Sequence, residues 1–229
     1  MMRSTAAVIP ALNEGATVGA VVAVAAASPL VDEVIVADNR SSDDTREQAA
    51  AAGARVVSAS FGGKGEAMTA GVAATDAEVI VFLDADLVGL RPYHVDRLVR
   101  TVTSGGAAMA CGLFDRGPLL NPLFLHVLPI LTGERALRRE LFTSLDAREI
   151  TGFQVEAALN ARAGEMGLPV AAFVCSGMWH RTKEEKFASP LEGFLAKVGM
   201  LSTAVRSYAG YWLRRRVRLW TRWSPGLGR

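Results

Sequence analysis

The chain is poor in cysteine, in aromatic residues and in long apolar runs. Only Cys111 and Cys175 occur among its 229 residues. Neither lies in a CxxC or similar spacing, which argues against a disulfide framework and a cysteine-ligated zinc site. A reducing, cytoplasmic compartment is the expectation. No stretch reaches the ~18 uncharged apolar residues that mark a membrane-spanning helix. Met1 leads almost directly into an apolar strand, so no leader peptide is expected. Two phosphate-binding signatures are also missing: GxxxxGKS/T, and GxGxxG after the first strand. Their absence argues against a P-loop NTPase and an NAD-dependent enzyme. From Gly193 onward there is no acidic residue, against Lys197 and seven arginines. The whole chain carries a net charge of only +2, so the body is acidic and the tail basic. Such a tail suits an anionic partner.

Half of the residues are hydrophobic, enough for a sizeable core. The first half alternates short apolar runs with helical patterns. Strands are expected at Ala6 to Pro10, Glu33 to Asp38, Arg55 to Ser58 and from Val79. Helices are expected at about Ala16 to Ala27, from Asp43-Asp44-Thr45 to Gly53, and from the Gly62-Gly63-Lys64-Gly65 turn. This order predicts a doubly wound, mostly parallel sheet. Further on, Pro92 to Thr103 and Phe153 to Met166 read as helices, and Ala107 to Leu113 and Val170 to Val174 as strands. The run from Leu119 to Leu131 contains Pro122 and Pro129 and reads as a packed loop or short helices. Between about Leu191 and Trp223, apolar residues recur at steps of three and four, which predicts a long amphipathic helix.

Val79-Ile80-Val81-Phe82-Leu83-Asp84-Ala85-Asp86 is the most informative stretch. A continuous apolar run suits a strand buried on both faces. Two acids at its carboxyl end sit where open α/β sheets bind ligands. Such a pair suits a hard divalent cation, which takes oxygen ligands; a helix cap followed by a turn is the plainer alternative. Other polar groups follow other strands: Asn13 and Glu14 the first, Asp38 to Ser42 the second, Lys64 the third. A parallel sheet gathers them on one edge. Lys64 offers a positive point charge, and the glycines around it allow close backbone approach. Together these groups suit a nucleoside diphosphate.

Four segments carry a family resemblance. They are Val8-Ile9-Pro10-Ala11-Leu12-Asn13-Glu14, Val34 to Thr45 (VIVADNRSSDDT), Gly63-Lys64-Gly65-Glu66-Ala67 and Phe82-Leu83-Asp84-Ala85-Asp86. Their order and spacing over about residues 5–90 resemble family 2 glycosyltransferases of the GT-A fold. The second half is similar to the branch holding glucosyl-3-phosphoglycerate synthases and prenyl-phosphate sugar transferases. That similarity rests on Leu131-Thr132-Gly133-Glu134-Arg135, Gly152-Phe153-Gln154-Val155-Glu156 and His180. The resemblance implies a Rossmann-like GT-A domain over 1–190, with a nucleotide-binding half at 1–90 and an acceptor half at 91–190. A basic, aromatic helix and tail would occupy 191–229.

The resemblance also implies roles. Pro10, Ala11, Leu12 and Glu14 would line the base and ribose pocket of a UDP- or GDP-sugar. Asp38 would sit beside the base and Lys64 against the nucleotide. Asp84 would contact the ribose or the metal shell, with Ala85 next to it in the nucleotide-sugar site. Asp86 would bind Mn²⁺ or Mg²⁺, completed by His180. Asp86, Glu134 and Glu156 are the candidate catalytic residues. The two glutamates would bind sugar hydroxyls or accept the acceptor's proton. Thr132, Gly133, Arg135 and Arg139 are candidate acceptor ligands, with a solvated helix face as the alternative for the arginines. The acceptor is expected to be a phosphorylated small molecule or a prenyl phosphate.

Two departures stand out. Relatives usually show Asp-x-Gly-Ser where this chain has Asp38-Asn39-Arg40-Ser41. Glucosyl-3-phosphoglycerate synthases typically show Gly-Gly-Glu where it has Thr132-Gly133-Glu134. The second departure weakens the expectation of phosphoglycerate as acceptor. The alternatives are a glucosyl-3-phosphoglycerate synthase proper, a nucleotidyltransferase, and a nucleotide-sugar-binding module without transfer activity. In the tail, Tyr208, Tyr211, Trp212, Trp220 and Trp223 interleave with arginines. This favours peripheral contact with the cytoplasmic face of an anionic membrane. Packing on the body or in a homodimer comes next, and single-stranded nucleic acid last.

Overall fold

A computed structural model describes residues 4–60, 62–118, 121, 132–150 and 154–180. The expected C-terminal helix, the tail and most of the Leu119–Leu131 run lie outside them. Alternation dominates the first half: β1 (Thr5–Ala11), α1 (Val18–Ala26), β2 (Glu33–Asp38), α2 (Thr45–Ala51), β3 (Arg55–Ser58), α3 (Lys64–Ala73) and β4 (Val79–Phe82). A short β5 (Leu87–Val88), α4 (Pro92–Thr103), β6 (Met109–Phe114), β7 (Arg135–Arg138), α5 (Arg139–Thr143), α6 (Gln154–Glu165), β8 (Val170–Cys175) and β9 (Trp179–His180) follow.

Seven strands form one sheet in the order β3-β2-β1-β4-β7-β6-β8. Strands β1 to β4 are mutually parallel, and β6 is parallel to β8. The expectation of a mostly parallel α/β sheet is met, with one addition. Strand β7 runs antiparallel between β4 and β6. Its sequence, Arg-Ala-Leu-Arg, gives no strand signal: two charged residues bracket two apolar ones. It is a strand because both neighbours offer it a ladder.

Period-two alternation sends successive residues to opposite faces. Ala7 and Ile9 of β1 and Val79 and Val81 of β4 pack with Val21 and Val22 of α1 and Val95 and Leu98 of α4. On the other face, Val8, Ile80 and Phe82 pack with Met68 of α3, Leu141 of α5 and Leu159 of α6. Ile9, Ile80 and Phe82 are essentially fully buried. Each such side chain contributes roughly 1.5–3 kcal/mol. Helix α4 starts at Pro92, whose fixed φ suits the first turn. It buries Val95, Leu98, Val99 and Val102, the stripe expected of an amphipathic helix.

Polarity of the strands defines the functional edge. The carboxyl ends of β1, β2, β3, β4, β6 and β8 all emerge there. Because β7 runs the other way, its amino end emerges there too, and brings Thr132, Gly133 and Glu134 with it.

Candidate functional site

Pro10 and Ala11 close β1, and Leu12 follows them, half-exposed. The loop after β1 is fastened to the loop after β2 by side chains that accept main-chain bonds. Ser41 Oγ accepts from Asn13 N–H (2.9 Å), and Asn13 Oδ1 accepts from Ser42 N–H (2.8 Å). Thr45 Oγ1 accepts from Glu14 N–H (2.8 Å), and Asp43 accepts from Gly15 N–H (3.1 Å). Burial alone would raise the Asp43 carboxyl, but its bonds from Thr45 and Gly15 outweigh that and hold it below its ordinary value. Asp38 is buried. It receives Arg46 Nη1 at 3.0 Å and Ser41 N–H at 3.3 Å. Arg46 reaches on to Ser58 at the end of β3. The expected pocket-lining residues therefore stand on two loops that brace each other.

Arg40 occupies the left-handed region, with φ 65°. It is the glycine position of the Asp-x-Gly-Ser pattern that the resemblance implies. An L-residue there costs about 1–2 kcal/mol. The bonds that join Ser41 and Ser42 to Asn13 and Asp38 hold the turn in this conformation.

Lys64, the first residue of α3, forms the centre of the edge. Its Nζ lies 2.8 Å from Asp84 Oδ1 and 2.9 Å from Glu156 Oε1. Burial pushes the Lys64 ammonium down, but the two carboxylates outweigh that and hold it well above its ordinary value. The third helix comes this close because residue 65 is glycine: a Cβ there would run into the Ile150 carbonyl. Gly133 serves a similar purpose. A Cβ on it would stand 2.5 Å from Asp84 Oδ2. Glu156, at the start of α6, is 7% exposed, and its Oε2 has no hydrogen-bond partner among the described residues.

Glu134 is fully buried. The Thr132 hydroxyl contacts both its carboxylate and the Gly112 carbonyl. Ala85 is buried between Asp84 and Asp86, both of which are half-buried. Strand β9 pairs antiparallel with β5, placing the His180 backbone opposite Leu87, the residue after Asp86. The register therefore brings the two expected metal ligands to one place in the fold.

The donor set fits a divalent cation. Asp84, Asp86, Glu134 and Glu156 supply carboxylate oxygens, the ligands a hard cation prefers. Of these, Asp84 and Glu156 share the Lys64 ammonium. Among the described residues, however, no three metal-binding side chains converge on one point.

Not every candidate gathers here. Arg139 stands at the far end of β4: its N–H donates to the Glu78 carbonyl and its guanidinium pairs with Asp76 at 3.3 Å. Arg135 is near the site but 0% exposed, so it is neither a solvated helix face nor open to an acceptor. Its strand assignment, absent from its own sequence, explains both corrections. Asn13, Ser41 and Thr45 carry the bracing of the two loops, and Arg46 ties the end of β2 to that of β3; none of the four is expected in such a role from the sequence. Their signal was the density of serine, threonine and aspartate after β2, residues that favour side chain to main chain bonds in turns.

The model of glycosyl transferase family 2 matches residues 6–158. A glucosyl-3-phosphoglycerate synthase of Mycobacterium tuberculosis is 36% identical over 197 residues, covering 69% of this chain and 60% of the relative. The chain thus spans about 60% of the length of that curated relative. The share of this chain involved is smaller than the matched length, so the relative carries residues inside the matched stretch that have no counterpart here. A synthase of Petrotoga mobilis is 27% identical over 187 residues, covering 65% of this chain and 57% of its own. A crystal structure of the M. tuberculosis synthase with phosphoglyceric acid has a TM-score of 0.73 at 33% identity, covering 91% of this chain and 80% of that one. Another, with Mn²⁺, UDP and glucosyl-3-phosphoglycerate, also has a TM-score of 0.73, at 34% identity and the same coverage.

Proposed function

The chain belongs to glycosyl transferase family 2, and on that premise we propose that it moves a sugar from a nucleoside diphosphate sugar to a phosphorylated acceptor. The observation that carries this reading is the Lys64, Asp84 and Glu156 cluster at the carboxyl edge, with Asp86 and the His180 backbone beside it. UDP-glucose is the favoured donor, since a relative of 33% identity was solved with Mn²⁺, UDP-glucose and phosphoglyceric acid. A phosphorylated small molecule is favoured as acceptor over a prenyl phosphate on the same ground. The residues without counterpart here leave room for an acceptor other than phosphoglycerate itself.

The chain's own groups have distinct tasks in this reading. The braced loops after β1 and β2 hold the base and ribose. Asp84 is fixed by Lys64 and can orient the ribose or a metal-bound water. Asp86 and His180 would hold Mn²⁺ or Mg²⁺, whose charge stabilises the departing diphosphate. Glu156 presents its unpartnered Oε2 to sugar hydroxyls. Lys64 donates to the other oxygen of Glu156 and holds that carboxylate in place. Glu134 is too enclosed to meet an acceptor directly and shapes the loop around Gly133. Peripheral membrane contact and dimerisation through residues 191–229 remain proposals for that segment.

The test is UDP release from UDP-glucose in the presence of phosphorylated acceptors, with Mn²⁺, Mg²⁺ or chelator. Wild-type release should need the metal. Asp86→Ala should lower it by about 10²–10³-fold, the scale of losing a group that stabilises developing charge. Full activity in Asp86→Ala, or in chelator, would sink the reading. Metal-dependent UDP binding without turnover on any donor and acceptor would favour a binding module.

A further inference from the structure

Arg135 is the largest fully buried side chain of the described fold. Burying a guanidinium costs several kcal/mol unless its donors are satisfied. Its Nη2 donates to the Thr132 carbonyl, and its Nη1 donates to the Glu156 carbonyl at 3.4 Å and approaches the Met109 sulfur at 3.8 Å. One fork therefore holds the main chain of the loop before β7 and the main chain of α6.

These two segments are the ones whose side chains meet again across the site. Gly133 lies so near Asp84 that a Cβ on it would stand 2.5 Å from Asp84 Oδ2, Asp84 pairs with Lys64, and Lys64 pairs with Glu156. The contacts form a closed ring: Arg135, Thr132, Gly133, Asp84, Lys64, Glu156 and back to Arg135. Every link except Arg135 faces the edge. Arg135 closes the ring from behind, within the core, where no ligand reaches it.

We propose that Arg135 is a positioning residue, the internal clasp that fixes the acceptor-side loop against the donor-side Glu156. Its planar fork, with donors at fixed separation, suits two carbonyls at once, which a lysine point charge does not. The loop carrying Thr132, Gly133 and Glu134 is thereby set at the height where Gly133 meets Asp84. Without the clasp the loop lifts, Asp84 loses its backstop, and Lys64 no longer holds Asp84 and Glu156 at a fixed separation. The role rests on the transfer reading only for its kinetic consequence; the docking of the loop is a property of the fold.

The experiment uses the full chain with Arg135→Met, which keeps volume and removes the charge, and Arg135→Lys, which keeps the charge and removes the fork. The first readout is hydrogen exchange at the Gly112 amide, which donates to the Glu134 carbonyl at 2.9 Å and reports whether the loop is docked. Exchange there should quicken at least about tenfold in both variants, while amides of β1 and β2 stay protected. The second readout is transfer: kcat should fall by about 10²-fold, the scale of a misplaced reacting group, with KM for the acceptor little changed. Unaltered exchange at Gly112 in both variants would overturn the proposal. A rise in acceptor KM alone, with the loop still protected, would overturn it in favour of direct acceptor binding. Exchange needs no turnover, so a wild type inactive in transfer would sink the transfer reading and leave this test standing.

Discussion

Single atoms decide the centre of this site. Gly133 has no side chain, and the space a methyl would take holds the Asp84 carboxylate. Gly133→Ala should therefore fold but displace Asp84 from Lys64. A shift on the order of 1 Å in a positioned group can cost about 10²-fold in rate. Transfer activity of Gly133→Ala is expected to fall by that order while its melting temperature moves by only a few degrees; undiminished turnover would contradict the geometry. Arg40 teaches a different lesson. The family pattern calls for glycine there, and the left-handed φ of 65° shows why. The neighbouring bonds, not the residue itself, hold that turn.

At the scale of elements, α4 is coupled to the β8–β9 turn through His94. This residue is buried, and its Nδ1 accepts from Arg91 N–H at 3.1 Å, capping the first turn. Tyr93 stacks on it and reaches the Ser176 carbonyl at 3.5 Å. Burial, with Arg91 and Arg97 nearby, lowers the His94 pKa below its ordinary value. A base whose folded pKa is depressed binds fewer protons folded than unfolded. Stability is thus present above the ordinary histidine value of about 6.5 and drains away as pH falls below it. Wild type should lose melting temperature between about pH 7 and pH 5, and His94→Gln should lose less over that range. Equal slopes would show that His94 binds its proton equally well folded and unfolded.

The described fold is a sheet with helices on both faces, and the two cysteines sit on its neighbouring strands β6 and β8. Both are free and buried. Burial pushes the Cys111 thiol up, and burial with the nearby Glu134 pushes Cys175 up to about 12. Neither is a thiolate at neutral pH, and neither is open to reagent. Native protein should resist aromatic disulfide reagents over an hour, and both thiols should react on unfolding in guanidinium. Rapid native labelling of either would show that the β6–β8 side of the sheet opens. Among the described residues, no helix is long and apolar enough to cross a membrane.

Most of the first half was legible in the chain itself. Local signals suffice there: apolar runs for strands, glycine and aspartate for turns, and a fixed hand for each crossover. They placed Glu14, Asp38, Lys64 and Asp84 on one edge without knowledge of any contact. Only the tertiary structure decided what those groups hold. Strand β7 exists because two other strands flank it, and its reversed direction delivers Gly133 to Asp84 and buries Arg135. The pairing of Lys64 with Glu156 spans the two halves of the chain, and no periodicity encodes it. Sequence determines where a parallel sheet can bind. The long-range contacts that one antiparallel strand imposes determine which side chains face the ligand and which stand behind them.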